Sequence, residues 1–320
     1  MKARKVIAIL LTMIMAVSVF AGCGKKDDGK YTIGICQLVQ HEALDAATQG
    51  FKDAITEKIG ADKVEFKEQN ASGDSANCTT IVSGFVSDGV DLIMANATAP
   101  LQAAASATSE IPVLGTSVTD YASALEIDNW TGTVGNNISG TSDLAPLDQQ
   151  AAMIKELFPE AQNIALLYCN AESNSVYQCT VMEEHLKGFG YNVEWFGFND
   201  TSDVNSVTEA ACEFADVIYI PTDNTAAANT EAIANVVLPA GIPVIAGEEG
   251  LCKGCGVATL SIDYYDLGYQ TGLMAYEILV NGAKVSEMPV KFAPEVTYKF
   301  NADVCSQLGV TVPDTYVAIG

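Results

Sequence analysis

Two stretches, GVDLIMANAT at residues 89–98 and FADVIYIPTD at residues 214–223, share one pattern. Each has an aspartate, then a short apolar run, then the polar residues that directly follow the run, which we call the polar tip. The next apolar runs also match, because IPVLG at 111–115 corresponds to IPVIA at 242–246. Short apolar runs that alternate with longer amphipathic segments indicate βαβ units. Two copies in the same order therefore predict an α/β fold of two similar lobes, each with a parallel sheet.

The predicted domain boundaries assign two stretches of the chain to each lobe. We expect lobe 1 to contain residues 31–138 and about 263–282, and lobe 2 to contain residues 139–262 and about 283–320. Amphipathic helices are expected between the strands, for example where Leu44, Ala47 and Phe51 share one face. The predicted strands span residues 31–36, 64–69, 92–95, 113–115, 133–137, 164–169, 193–197, 217–220, 244–246 and 257–260.

The N-terminus predicts export and lipidation. Basic residues at the start, a long apolar run and small residues before Cys23 indicate a lipoprotein signal peptide over residues 1–22. We expect Cys23 to be lipidated and residues 23–30 to form a tether, which places the protein outside the cytoplasm on the bacterial cell membrane. An ordinary secretory peptide is the alternative, since Phe20 occupies a position where lipoproteins usually carry leucine.

The charge balance excludes some partners. The chain has 40 Asp and Glu against 16 Lys and Arg, and residues 1–22 contain three of the basic residues and no acid. The negative electrostatic field of the mature protein therefore repels phosphates, and we expect no nucleic-acid partner. No arginine follows Arg4, and the histidines are only His41 and His185. Neither a guanidinium grip on an anion nor a His-rich metal site is expected, and we predict no metal and no cofactor.

Cysteine usage leaves its alternatives open. Eight of the nine cysteines follow Cys23, and an even number permits disulfides without showing them. The CKGC sequence from Cys252 to Cys255 is compatible with a redox pair or half of a zinc knuckle. A surface disulfide or free thiols are the favoured alternative, because no second CxxC motif supplies further metal ligands.

Polar residues follow almost every predicted strand. Open parallel sheets bind ligands beyond the carboxyl ends of their strands, so these residues are the candidate ligand-binding set. Several also lie where a helix begins, where they can cap the helix or meet an anion. The candidates are Gln37, Thr98, Thr119, Asp120, Ser173, Asn174, Ser175, Asp223, Asn224 and Glu248.

Three acids suggest the charge of the ligand. Asp223, Glu248 and Asp263 follow strands of one lobe, with no lysine in the same loops. We interpret them as unpaired acids that surround a cation. A ligand ammonium between two carboxylates, with its own carboxylate on hydroxyls and helix N-termini, describes an α-amino acid. A metal ion is the alternative, but the DxDxDG spacing of calcium loops is absent.

Seven stretches together resemble one family. They are QLVQHEALD at 37–45, PVLGTSVTD at 112–120, GTSD at 140–143, NAESNS at 170–175, PTDNT at 221–225, AGEEG at 246–250 and IDYYDLGYQTG at 262–272. In this order they resemble the extracytoplasmic solute-binding lipoproteins of ABC importers that include tryptophan- and tyrosine-binding members. The chain departs from that family near residue 96, where it has Asn-Ala-Thr-Ala-Pro, and in its extra cysteines.

The resemblance implies a type I periplasmic-binding fold of two Rossmann-like lobes, joined by a hinge, that close on the ligand. It implies an ABC permease and its ATPase as partners, and we expect a monomer. The positions that match family contacts are Thr98, Thr119, Asp120, Ser173, Asn174, Ser175, Asp223, Asn224 and Glu248.

The function predicted is capture of a small, aromatic, amino acid-like solute for import. Aromatic residues near the strand tips are candidates for the side-chain pocket, namely Trp130, Tyr168, Tyr177, Tyr264 and Tyr265. A sugar or nucleoside binding protein and a ligand sensor of the same fold are the alternatives. An enzyme is not predicted, because no GxSxG, Walker, HExxH or GxGxxG motif occurs.

Overall fold

The computed structural model describes residues 29–293 and 295–320, and residues 31–320 form one compact unit. Its strands are β1 Tyr31–Gln37, β2 Val64–Asn70, β3 Leu92–Asn96, β4 Val113–Val118, β5 Ile138–Ser142, β6 Asn163–Cys169, β7 Asn192–Phe198, β8 Val217–Ile220, β9 Val244–Ala246, β10 Ala258–Ser261, β11 Lys291–Phe292, β12 Thr297–Phe300 and β13 Val317–Ala318. They form two sheets, so the predicted α/β fold class with two parallel-sheet lobes is confirmed.

Helices connect the strands throughout. They are α1 Glu42–Ile59, α2 Ser75–Asp88, α3 Thr98–Ala107, α4 Tyr121–Ala124, α5 Leu147–Leu157, α6 Ser173–Gly188, α7 Val204–Phe214, α8 Asn224–Ala227, α9 Thr230–Ala240, α10 Glu249–Cys255, α11 Tyr264–Leu279 and α12 Ala302–Leu308. Within the described ranges, none of them is both long and apolar enough to cross a membrane.

The first sheet has the strand order β2-β1-β3-β4-β5-β11, and all its neighbours are parallel. Both faces are apolar because helices cover both. Phe51 of α1 and Met274 of α11 pack on one face with Ile33 and Ile35. Phe85 of α2 belongs to the core on the other face.

The second sheet repeats this plan in the order β13-β12-β10-β9-β8-β6-β7, in which only β12 runs antiparallel to its neighbour β10. Helices α5 and α6 cover one face through residues such as Ile154 and Met182. Helices α7 and α9 cover the other, where Ala211 and Ile233 are buried. The crossovers put the carboxyl ends of β1, β3, β6 and β8 at one edge of each lobe, which is where the polar tips lie.

One predicted strand is wrong. The sequence placed a strand at 133–137, whereas β5 starts at Ile138. Gly135 and Asn136 both have positive φ, of 82° and 50°, and Gly135 bridges back to Ile138 as a turn. The extended backbone therefore begins after this turn, and the sequence analysis missed strands β11 to β13 as well.

The membership of the first sheet also differs from the predicted lobe boundaries. Residues 139–142 of β5 and 291–292 of β11 pair within the first sheet, although the sequence analysis assigned both stretches to lobe 2. The chain leaves the first sheet after β5, returns to it through α11, and leaves again after β11. The second lobe therefore begins after residue 142 rather than at 139.

Helices α1 and α11 pack unusually close together. A Cβ atom on Gly268 would overlap the carbonyl oxygen of Ala47, and one on Gly50 would overlap that of Tyr265. At Gly272 an added Cβ would lie 2.7 Å from the carbonyl oxygen of Phe51. Three glycines thus let the two helix backbones meet directly on the first sheet.

A buried hydrogen bond joins two of the segments that cross between the lobes. Tyr264, the first residue of α11, donates its hydroxyl to Asp143 Oδ2 at 2.9 Å. Asp143 directly follows β5 and is 3% exposed. The hinge therefore contains a carboxyl group that is removed from water.

Candidate functional site

A cleft of about 480 Å³ lies between the two lobes at the carboxyl ends of their strands. This volume is within the usual range for small-molecule sites. Lobe 1 contributes Leu38, Val39, Ser72, Gly73, Asp74, Ser75, Thr98, Ala99 and Gln102. Lobe 2 contributes Cys169, Ala171, Glu172, Ser173, Asn174, Asn199, Asp200, Thr201, Asn224, Thr225, Ala228 and Asn229.

Two helices direct their N-termini into this cleft from opposite lobes. Helix α3 begins at Thr98 and α6 begins at Ser173, and no side chain caps either helix. The first N–H groups of a helix have no partner within the helix and attract anions. The two hydroxyls at these positions add further donors, so the cleft is suited to a carboxylate.

Backbone strain marks the start of α3. Ala97 has φ 101° and ψ 170°, a region populated almost entirely by glycine, and it is fully buried. Such a conformation costs about 1–3 kcal/mol and persists only where the surrounding structure holds it. The strain turns the chain sharply after Asn96, which brings Thr98 and Ala99 to the cleft.

Glu172 is the buried acid of the cleft, and the sequence analysis did not select it. Its Oε1 accepts hydrogen bonds from the backbone N–H and the hydroxyl of Thr225, both at 2.8 Å. Its Oε2 accepts from the backbone N–H and the side-chain amide of Asn224, at 3.0 and 2.6 Å, and from the amide of Asn174 at 3.2 Å. The Glu172 carboxylate thereby holds Asn174, Asn224 and Thr225 in place on the lobe 2 side of the cleft.

Asp223 does not line the cleft, so its predicted role needs correction. It is 1% exposed, and it caps α8 by accepting from the N–H of Ala226 at 2.8 Å. Its other oxygen accepts from the N–H of Cys169 at 2.7 Å. Burial, together with the charge of Glu172, raises the pKa of Asp223 to about 8. The interpretation of this acid as unpaired was wrong, because backbone donors satisfy both oxygens.

Glu248 and Asp263 are caps too. Glu248 caps α10 by accepting from the N–H groups of Gly250 and Leu251, and burial raises its pKa to about 7. Asp263 caps α11 through the N–H of Asp266 at 3.0 Å. Glu248 does face a second, smaller crevice between the lobes, of about 230 Å³, together with Gln40 and His41. Ser173 and Thr98 line the first cleft only.

The structure divides the ten candidate residues. Four of them line the main cleft, namely Thr98, Ser173, Asn174 and Asn224. Glu248 lines the smaller crevice. The other five contact neighbouring protein groups instead. Gln37 bonds Asp45 and Thr48, Thr119 lies against Asp143, and Ser175 lies beside Asp223. Asp120 caps α4, and Asp223 caps α8.

None of the five predicted aromatic residues lines the main cleft. Trp130 packs against the core of the first lobe, and Tyr168 stacks edge-on against Trp195 with ring centroids 5.2 Å apart. Tyr264 and Tyr265 lie beside Glu248 instead. The apolar wall of the cleft is aliphatic and small, formed by residues such as Leu38 and Val39.

The cysteines and the acids show no sign of a metal centre in the described ranges. No group of three or more His, Cys, Asp and Glu residues there is able to hold a metal ion. The eight cysteines after Cys23 are free thiols. Cys252 and Cys255 are both buried and free, so of the two favoured alternatives the structure has free thiols and no surface disulfide. Cys23 lies outside the described residues.

Comparison with known proteins assigns the family. A model of the ABC transporter substrate binding protein family matches residues 32–319. The chain belongs to this family. Substrate-binding proteins of ABC importers bind a small solute outside the cytoplasm and work with a transporter, and the prediction of such a protein is confirmed.

Relatives of this substrate-binding protein carry further information. It is 34% identical to a "Tyrosine-binding protein" of Clostridioides difficile (strain R20291), over 96% of this chain and 93% of the relative. It is 29% identical to a solved ABC domain in complex with L-Trp from Streptococcus pneumonia, with a TM-score of 0.86, covering 91% of this chain and all of the other. It is 35% identical to the ligand-free, open structure of a substrate binding protein with adhesive properties from Clostridium difficile, with a TM-score of 0.68, covering 90% and 99%.

The raised pKa of Asp143 leads to a stability prediction. Burial raises this pKa from 3.8 to about 6, although the Tyr264 and Thr119 hydroxyls oppose the shift. Between these two values the folded protein binds more protons than the unfolded chain, so the contribution of Asp143 to stability is lost as the pH rises from about 4 to about 6.

We therefore expect Asp143→Asn to become more stable relative to the unaltered protein over that interval. Over this interval the unfolding free energy of the variant should rise by about 3 kcal/mol relative to that of the unaltered protein, because one pKa unit corresponds to 1.36 kcal/mol. Denaturant unfolding at pH 4, 5, 6 and 7 measures it. Asp266→Asn, which leaves the hinge carboxyl in place, is the control, and parallel curves for both variants would contradict the prediction.

Proposed function

We propose that this substrate-binding protein captures an aromatic amino acid between its two lobes and presents it to an ABC importer. The observation that carries the proposal is the meeting of two uncapped helix N-termini, from opposite lobes, in one cleft that also contains a buried acid. Anionic and cationic ends of a zwitterion are both accommodated there. The names of the two relatives, for tyrosine and for tryptophan, agree with this ligand class.

The ligand carboxylate is placed at the starts of α3 and α6, on the hydroxyls of Thr98 and Ser173. The ammonium is placed near Glu172, which lines the cleft as Asp223 and Glu248 do not. Its oxygens already accept five hydrogen bonds, so it attracts the ammonium through its buried negative charge and takes the role that the sequence analysis gave to those two acids. Among the described residues that line the cleft, no lysine or histidine competes with the ammonium. Leu38, Val39 and Ala99 leave an apolar surface for the aromatic ring.

The arrangement of the lobes supports a closed form. His41 of lobe 1 contacts Asn224 of lobe 2, and Lys253 pairs with Glu42 across the same boundary at 3.1 Å. The fold also superposes better on the L-Trp complex than on the open, ligand-free relative, although the latter is the more similar in sequence. A ligand that contacts both lobes shifts the population toward such a form.

The test of the proposal is isothermal calorimetry with a panel of amino acids, monosaccharides and nucleosides. We expect binding of L-tyrosine or L-tryptophan, and weaker or no binding of the other classes. A monosaccharide or nucleoside that binds while no amino acid does would overturn the proposal and favour the alternative solutes.

The hydroxyl contacts give a sharper prediction. Thr98→Val and Ser173→Ala are each expected to weaken amino-acid binding by about 1 kcal/mol, roughly five-fold, because each removes one hydrogen-bond donor to the carboxylate. Thr180→Val is the matched control, since Thr180 is exposed on α6 and its hydroxyl bonds only the carbonyl of Val176. Unchanged affinity in both cleft variants would place the carboxylate elsewhere.

We also propose that a lipid on Cys23 anchors the protein to the cell membrane as a monomer beside its permease and ATPase. The export pattern of residues 1–22 supports this, and Cys23 itself lies outside the described residues. Cys23→Ser is expected to release the protein from the membrane fraction with unchanged ligand affinity. Retention of the variant on the membrane would contradict lipid anchoring.

A further inference from the structure

One hydrogen bond links the two lobes beside the cleft. His41 lies at the end of the loop after β1 in lobe 1, and Asn224 is the first residue of α8 in lobe 2. The Nε2 atom of His41 lies 3.2 Å from Oδ1 of Asn224. Because the partners belong to different lobes, this contact exists only when the lobes are together.

The geometry determines which atom donates. Asn224 donates its side-chain amide to Glu172 Oε2 at 2.6 Å, and its backbone N–H bonds the same oxygen at 3.0 Å. The carboxylate therefore orients the amide so that its carbonyl oxygen points to lobe 1. A carbonyl oxygen only accepts, so Nε2 of His41 must carry a proton in this arrangement.

We propose that His41, Asn224 and Glu172 form a latch that slows release of the bound solute. Glu172 holds the Asn224 amide from within lobe 2, and His41 closes the contact from lobe 1. His41 lines the smaller crevice rather than the main cleft, so it acts as a positioning residue through Asn224 rather than on the ligand. The latch rests on the proposed function, because it concerns release of the solute from the closed lobes.

The surroundings of His41 make the latch sensitive to pH. The acids that face it are Asp45 and Glu42 on α1 and, from lobe 2, Glu172 and Glu248. Burial nevertheless outweighs their attraction and lowers the pKa of His41 below 6.5. Opening the lobes exposes the imidazole to water and returns its pKa toward the ordinary value. Protonation therefore favours the open form, and release is expected to accelerate as the pH falls.

The experiment measures the dissociation and association rates of radiolabelled L-tyrosine or L-tryptophan, whichever the calorimetric panel identifies, with full-length protein. We expect His41→Ala to raise the dissociation rate about three- to ten-fold, as loss of one hydrogen bond implies, and to change the association rate by less than two-fold. His41→Gln keeps an N–H donor, so its dissociation rate at pH 7.5 should stay within about two-fold of the unaltered protein.

The pH profile separates a latch from a general structural role. The unaltered protein should release solute faster at pH 5.5 than at pH 7.5, whereas His41→Gln, with no titrating ring, should show a smaller pH dependence, which Asp143 and Glu248 account for. His185→Ala, on α6 away from both crevices, is the control and should keep the full pH dependence. If His41→Ala fails to fold, the comparison with His41→Gln still decides the question.

Two results would overturn the latch alone: an unchanged dissociation rate in a folded His41→Ala protein, or the same pH dependence in His41→Gln as in the unaltered protein. Failure of the unaltered protein to bind either amino acid would instead overturn the proposed function, and the latch with it.

Discussion

Gly268→Ala is expected to destabilise the protein by more than about 3 kcal/mol. The new Cβ would overlap the backbone of Ala47 in α1, and backbone atoms cannot move aside as a flexible side chain can. Overpacking a core with one methyl group costs about 1–3 kcal/mol even where side chains give way. Here α1 and α11 must separate, which opens the face of the first sheet that holds Phe51 and Met274.

Thermal and denaturant unfolding measure this effect. Gly84→Ala is the matched control, because Gly84 lies within α2 and, apart from the adjacent helix backbone, no described atom would lie within 4 Å of an added Cβ. In a helix interior, alanine is favoured over glycine by about 1 kcal/mol, so the control should be as stable as the unaltered protein or slightly more stable. Equal melting temperatures for Gly268→Ala and Gly84→Ala would show that the two helices do not meet as described.

Glu172→Ala is expected to abolish solute binding, with a loss of at least about 100-fold in affinity. The substitution removes the acceptor of five hydrogen bonds from Asn174, Asn224 and Thr225, and it removes the buried charge of the cleft. Each buried donor left without a partner costs about 1–3 kcal/mol, so stability falls too. Calorimetry and thermal unfolding together separate the two losses.

Two further variants assign the effect to its cause. Glu172→Gln retains the length of the side chain and one acceptor oxygen, and we expect it to fold and to bind with an intermediate loss. Asp200→Asn removes an exposed acid from the same cleft and should change the affinity by less than about three-fold, since solvent screens an exposed charge. Equal losses in Asp200→Asn and Glu172→Gln would show that buried charge is not what holds the ligand.

The architecture was predictable from the sequence because its main signals are local. An apolar run such as Leu92–Asn96, followed by a helix and a second run, specifies a βαβ unit whatever surrounds it. The strand predicted at 133–137 is a turn before β5, because Gly135 and Asn136 have positive φ and the stretch TVGNN lacks the apolar pattern of a buried strand. Short edge strands such as β11 leave no such pattern.

The site was predictable only as a region. The polar tips do converge on one edge of each lobe, but a sequence does not distinguish an aspartate that caps a helix from one that meets a ligand. Asp223 and Asp263 fit either role by residue type and position. The hydrogen bonds that they accept from the N–H groups of Ala226 and Asp266 show that they cap helices. Glu172, in the tip NAESNS, met the criterion used for Asp223, an acid without lysine in its loop, and applying that criterion evenly would have included it.

The eight free cysteines have a consequence for handling the protein in air. Seven are buried, and Cys212 is partly exposed, so the folded state shields nearly all of these groups from dissolved oxygen. Heating exposes them together, and chains that oxidise while unfolded become crosslinked in arrangements that cannot refold. Melting should thus be reversible with a reducing agent in an anaerobic vessel and irreversible on the open bench.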